Sequence, residues 1–261
     1  MKIVKRILFA LVIITVLVAA VAAWIVFGYN TSNPHNYATI AAIPTPTGYE
    51  RIDGNDKDYV AYLRALPLKH KGSEVQLYTG GNANWQSLCY AVADLPLLSN
   101  SEQCADVCMR IRAEAMYVAG RYNDIHFQDV NGKTHTYKGG KSRAVLEKYL
   151  RRVYGVANTY SLCSELKQRK LSDMQPGDIF VYPARKGKKY GHAVMVVDVA
   201  QNPQTKKKAF LLVEGNTPAR EMHVMRNFLN PFSSPWFELD EEADNMILSV
   251  FHYEAKDLRH F

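Results

Sequence analysis

Residues Gln175–Asn216 read QPGDIFVYPARKGKKYGHAVMVVDVAQNPQTKKKAFLLVEGN, and this stretch decides the fold. Three apolar runs, Asp178–Tyr182, His192–Ala200 and Ala209–Glu214, are joined by polar loops and read as strands. Alternation with period two is weak in AVMVV and AFLLV, the pattern of strands buried on both faces. Polar residues stand where the runs begin or end: His192 opens one, and Glu214 and Asn216 close the next. Buried strands that present a His, a carboxylate and an amide form a scaffold for a catalytic base and the groups that orient it. Such a base needs a nucleophile.

Upstream, Ser99–Ala119 (SNSEQCADVCMRIRAEAMYVA) is the clearest helix. Ser99–Ser101 supply an N-cap, and Glu102 falls in the first turn, where the helix dipole favours an acid. Cys104, Val107, Cys108, Ile111, Ala115 and Val118 recur at helical spacing as one apolar stripe, while Arg110, Arg112 and Glu114 occupy other faces. Cys104 sits in that first turn, where orphan amides and the dipole favour the thiolate, the reactive form. A helix laid on the sheet directs Cys104 toward His192. The imidazole then needs a third group to orient it, and Glu214 or Asn216, two residues apart on one strand face, can serve. The Cys104 amide with Gln103 is the expected oxyanion donor pair.

Taken singly, a Cys on an apolar stripe is ordinarily a small buried hydrophobe or half of a disulfide. Cys108 reads as core, and Cys89 and Cys163 lack the helix-start position. His223 is the second candidate base, Asp178 holds its own turn, and Glu214 and Asn216 also suit a turn cap before Pro218. Four cysteines allow three disulfide connectivities, which spacing alone leaves open. No CxxC or HxxxH spacing points to a metal, and no cofactor is expected.

Met1–Arg6 carries Lys2, Lys5 and Arg6, and Ile7–Phe27 follows without a charge. About 20 apolar residues cross a bilayer as a helix, with the basic flank on the cytoplasmic side. Residues 7–28 are therefore read as a single-pass anchor after a cytoplasmic tail, residues 1–6, with the domain on the extracytoplasmic side. Ala20-Val21-Ala22 keeps a cleaved signal, and hence secretion, open as the alternative. The net charge of +7 suits a polyanionic envelope or membrane surface, and no helix-turn-helix, zinc-finger or aromatic-basic motif supports nucleic acid as a partner. Lys186–Lys189 and Lys206–Lys208 read as solvated loop charges that flank the His192 strand.

Residues 29–47, rich in Pro, Asn and Thr, read as a linker, and residues 48–261 as the folded domain. Asp56 or Asn55 caps a predicted helix Lys57–Leu66 ended by Pro67; GSEVQLYTG and SLCYAVADL read as strands. Asn131-Gly132 signals a type I′ hairpin within Asp124–Tyr137. Ser142–Tyr154 and Ser161–Lys170 read as helices, Glu221–Arg226 and Ile247–Tyr253 as strands, and NPFSSPWFELDEEADN as a long loop. Helices first and a mostly antiparallel sheet after them make the class α+β.

The order of these pieces resembles papain-like cysteine hydrolases of the CHAP and NlpC type. Gln103-Cys104-Ala105 matches their Cys-bearing helix start, Gly177-Asp178 their GD turn, Gly191-His192 their His strand, and Glu214-x-Asn216 the paired Glu and Asn after it. Over most of residues 48–261 the chain is also similar to an exported bacterial family, the domain of unknown function 4846. That likeness rests on Gly48–Ile52, YLRALPL, QCADVCMRIRAEAMY, GHAVMVVDVA and SPWF. The first resemblance implies an envelope-anchored cysteine peptidase or amidase acting on peptidoglycan or other cell-wall peptides. Cys104 would be its nucleophile, His192 its base and Glu214 or Asn216 the orienting group. A non-catalytic envelope protein binding glycan, and an acyl transferase on the same fold, are the alternative expectations.

Overall fold

Strand-forming residues fill His192–Gln201, and the computed structural model of the chain places that run inside a nine-stranded sheet. The structure describes residues 2–28 and 35–261, apart from 186 and 188. Its helices are α1 (Lys2–Gly28), α2 (Lys57–Ala65), α3 (Cys104–Val118), α4 (Arg143–Tyr154) and α5 (Thr159–Glu165). The strands before the quoted stretch are β1 (Glu50–Arg51), β2 (Cys89–Val92), β3 (His126–Gln128), β4 (Thr134–Thr136) and β5 (Lys167–Gln168). They are followed by β6 (Ile179–Tyr182), β7 (His192–Gln201), β8 (Lys208–Glu214) and β9 (His223–Met225). β10 (Phe237–Glu238), β11 (Asn245–Leu248), β12 (Phe251–Glu254) and β13 (Leu258–His260) complete the set.

The main sheet runs β2-β9-β8-β7-β6-β13-β5, with β1 added on β7 and β10 on β8, and every pairing is antiparallel. Ala193, Met195 and Val197 enter the core beneath the helices, while Val194, Val196 and Val199 enter a second core on the other face. A register shift between Val196 and Asp198 resets the alternation. Both faces of β7 are therefore covered, which is why its sequence shows no polar–apolar alternation. Helices α2 and α3 lie against β7 on one side; Phe180, Phe210, Phe237 and Tyr253 fill the other. The mixed α and β content and the mostly antiparallel sheet agree with the sequence reading.

α1 is 27 residues long, and its window Val4–Val21 has a mean hydropathy of 2.5 and is not buried by any of the described residues. Such a helix fits a membrane anchor or a signal sequence. Residues 29–34 of the expected linker lie outside the described residues. Ile40 and Ile43, also assigned to the linker, are buried in the helix-side core, so packing starts before Gly48.

Several local expectations are corrected. The α3 helix begins at Cys104, with Gln103 as N-cap and Asp106 accepting from the Gln103 amide at 2.9 Å. Glu102 is drawn inward instead, to Arg110 at 2.7 Å and the Leu98 amide at 2.7 Å, so it lies outside the helical turn. Off the apolar stripe, as read, Arg110 and Glu114 are nonetheless buried together, and Arg143 closes the network on Glu114. Residues 72–80 form only single bridges, with left-handed backbone at Gly72 and Gly80 interrupting any ladder. The Asn131-Gly132 turn is a longer loop in which only Gly132 has positive φ, because Asp129 accepts the Asn131 and Lys133 amides. Ile247–Tyr253 is a hairpin rather than one strand, turning at Ser249 with φ 58°.

Asp198, fully buried on β7, accepts from Arg51 Nε at 2.5 Å and Arg64 Nε at 2.9 Å, tying β1 and α2 to the sheet. Removing one side of such a pair costs on the order of 3 kcal/mol. Asp198→Ala should lower the melting temperature and denaturant midpoint correspondingly; an unchanged midpoint would show that the two arginines are held by other contacts.

Candidate active site

His192 opens β7 opposite Tyr182 of β6, and Glu214 ends β8. By alternation both belong with Val194, Val196 and Leu212, the face opposite α3. Cys104 reaches them because all three lie where the sheet ends and the helix begins. Two glycines let the elements close up. A Cβ on Gly191 would meet Thr159 Oγ1 of α5 at 2.2 Å, and one on Gly215 would meet Val107 of α3 at 2.6 Å.

His192 Nε2 and Glu214 Oε2 are 2.9 Å apart, which leaves Nδ1 as the free nitrogen, and the Cys104 thiol lies near enough to the imidazole to favour its charged form. The Phe251 ring stacks on the imidazole at 3.8 Å between centroids and 21° between planes. Edge and face of the ring are thus both held. The second Glu214 oxygen, Oε1, faces His223 Nε2 at 3.2 Å, and His223 Nδ1 donates to the Glu221 carbonyl at 3.1 Å. Glu214 is 1 % exposed. Burial alone would raise its pKa, but the hydrogen bonds from His192 and then His223 overcome that and hold it below the ordinary carboxylate range. Burial likewise disfavours a charged His192; the opposing hydrogen bonds of Cys104 and Glu214 prevail and push it up to about 9.

All four cysteines are free thiols. Burial raises the pKa of Cys89, Cys108 and Cys163, the inert condition for a thiol. Cys104 differs in place: it lines a cavity of about 370 Å³ together with Gln103, Asp106, Tyr154, Thr159 and Thr217. Gln103 lines the same cavity, its Oε1 accepting from the Thr217 hydroxyl at 2.8 Å, so its amide nitrogen is the half left to donate. The Cys104 N–H belongs to the first turn, which leaves amides without intrahelical acceptors.

Asn216 does not join the group. The strand ends at Glu214, and the Asn216 side chain turns back to accept its own neighbour's amide, Thr217 N, at 2.8 Å. Of the two residues expected to orient His192, Glu214 does so. Asp178 caps its own turn through the Gln175 amide at 2.9 Å and pairs with Arg169. Lys206–Lys208 stand at the far end of β8 from Glu214, so that loop does not flank the site.

A family model described as domain of unknown function (4846) matches residues 40–141 and 135–260. The chain belongs to this family. No curated protein and no solved structure matches it. In this 4846 domain the first matched segment carries Cys104 and the second carries His192, Glu214 and His223, so both are needed to assemble the site.

Sequence reasoning missed that His223 shares Glu214, that Phe251 stacks on His192 and that Asp106 caps the start of α3. His223 lies directly across the ladder from Glu214, a register that a three-residue strand does not disclose. Asp106 had a readable signal, the polar residue three positions after an N-cap.

The site makes a titration prediction. His192, ordinarily near 6.5, stays charged up to about pH 9, so this group contributes stability below pH 6.5 that is lost as pH rises through about 9. NMR titration of the ring should show this, and Cys104→Ala and Glu214→Gln should each lower the midpoint. A midpoint indifferent to both changes would contradict the geometry.

Proposed function

We propose that this protein is an envelope-anchored cysteine hydrolase acting on amide bonds of cell-wall peptides. The observation that carries the reading is one imidazole held between a buried carboxylate and a thiol at a helix start, beside a cavity. The resemblance to CHAP- and NlpC-type hydrolases, in the order Cys-helix, GD turn, His strand, supports a papain-like class and a bacterial peptidoglycan substrate. The apolar α1 supports attachment to a membrane.

The chemistry follows from the groups present. A thiolate–imidazolium pair is the reactive form of a Cys–His site. Cys104 sulfur attacks the amide carbonyl, and the oxyanion lies toward the Cys104 N–H and the Gln103 amide. His192 gives its Nδ1 proton to the leaving amine, and a thioester remains on Cys104. Water then attacks the thioester as His192 takes its proton; the carboxylic acid departs, and the proton returns the pair to its starting state. Glu214 keeps the imidazole in the orientation and charge state that both steps require.

Full-length protein in detergent should release peptide or amine products from purified peptidoglycan. Cys104→Ala and His192→Ala should each lower the rate by on the order of 10³-fold or more, and Glu214→Gln by about 10²–10⁴-fold. Wall hydrolysis at the normal rate by a Cys104→Ser protein would sink the proposal. Tight binding of wall fragments without hydrolysis would favour a non-catalytic binding role.

A further inference from the structure

Helix α4 carries four cations, and they divide into two rows. Arg143 and Arg151 both reach Glu147, at 3.3 and 3.4 Å, and Arg143 also reaches Glu114. Lys148 and Arg152, four residues apart, make up the other row, where neighbouring like charges oppose the helix rather than support it. Both line a groove of about 400 Å³, and Lys138, two residues beyond β4, joins them as a third cation. All three side chains are exposed. Among the described residues none of the three meets a carboxylate, and no acid lines the groove.

The walls of the groove do not answer these charges. The Tyr137 hydroxyl is spent on the Gly140 and Ser142 carbonyls, each at 2.9 Å, and the Tyr149 hydroxyl on the His135 carbonyl at 2.7 Å. The Arg152 guanidinium lies over the Tyr149 ring, 5.8 Å from its centroid, which steadies the cation without neutralising it. Glu165, whose charge Tyr149 also feels, is spent on the Gln128 amide at 2.8 Å and on His126 at 3.4 Å. Three like charges gathered on one concavity repel one another, and a concave wall of one sign concentrates the opposite ion. A bound anion turns that repulsion into attraction.

The charge count selects the anion. A carboxylate brings one charge, whereas a phosphate monoester brings close to two at pH 7, with three acceptor oxygens, one for each cation. Ammonium and guanidinium groups are both phosphate ligands, the first as point charges and the second as a planar fork. We propose that this groove binds a phosphate monoester, received by Lys138, Lys148 and Arg152, with the organic part against Val145, which is 43 % exposed. The groove and the cavity of Cys104 share no lining residue, and Tyr154, two residues after Arg152, belongs to the latter. The phosphate site is therefore a second site, independent of the hydrolase reading.

The test uses full-length protein in detergent micelles and two probes, glycerol 3-phosphate and acetate, with affinities measured by calorimetry at about 0.1 M salt. Glycerol 3-phosphate should bind at least about tenfold more tightly than acetate. Lys148→Gln and Arg152→Gln should each weaken it by about three- to tenfold, and the double variant should lose it, with circular dichroism confirming that each protein is folded. Lys206→Gln combined with Lys207→Gln removes the same charge from an exposed loop outside the groove and should leave the affinity unchanged. Cys104→Ala should bind the phosphate as tightly as the unmodified chain, so a failed hydrolase and a failed phosphate site are read separately. A dissociation constant for glycerol 3-phosphate above about 10 mM, or acetate bound equally well, would overturn the proposal. So would a Lys206–Lys207 variant that loses as much affinity as the Lys148–Arg152 variant, the mark of diffuse surface charge, or a Cys104→Ala protein that no longer binds.

Discussion

A carboxylate buried to 1 % exposure is costly unless its charge is answered, and Glu214 is answered on both oxygens by imidazoles from neighbouring strands. That constraint reaches through the site. It requires β9 to lie beside β8 with His223 opposite Glu214, and it requires the first residue of β7 to turn its ring toward the end of β8. With Nε2 so engaged, His192 presents Nδ1 to the start of α3. The stacked Phe251 removes the remaining freedom of the ring. The imidazole is thereby oriented before any ligand arrives, the condition under which a base acts without reorganisation.

The sheet and helix supply the rigid frame this arrangement needs. β7 is packed on both faces, so its register is fixed by two cores rather than one. Gly191 and Gly215 stand where any side chain would collide with α5 or α3, and they set how closely the His and Glu strands approach the helices. The buried Glu102–Arg110–Glu114 cluster, joined by Arg143 from the surface, holds the segment just before Cys104 against α3 and α4. Cys104 thus starts its helix at a place determined by ion pairs and capping, with its sulfur at a cavity rather than inside the core, where Cys108 lies.

Much of this was legible in the residues. The apolar runs of Gln175–Asn216 announced three strands buried on both faces, and their observed bounds differ from the reading by a residue at most. The apolar stripe identified the helix of Cys104, and polar residues at strand ends identified His192 and Glu214. Helix length was overread because Ser99–Glu102 has helix-start chemistry, while its actual structure depends on Arg110, eight residues beyond Glu102. Asn216 was overread because alternation was carried past the end of the strand, where the backbone had already turned.

Local pattern and composition by themselves determined the α+β class, the apolar N-terminal helix, the cysteine at a helix start and the histidine at a strand start. These are short-range properties, set by periodicity and by where charge and turn residues interrupt it. Only the tertiary structure decided which carboxylate meets His192, that a second imidazole shares it, and that Gln103 and Tyr154 line the same cavity as Cys104. Those facts depend on strand register and on contacts between residues tens to more than a hundred positions apart, whose energies arise only once burial has removed water from between them.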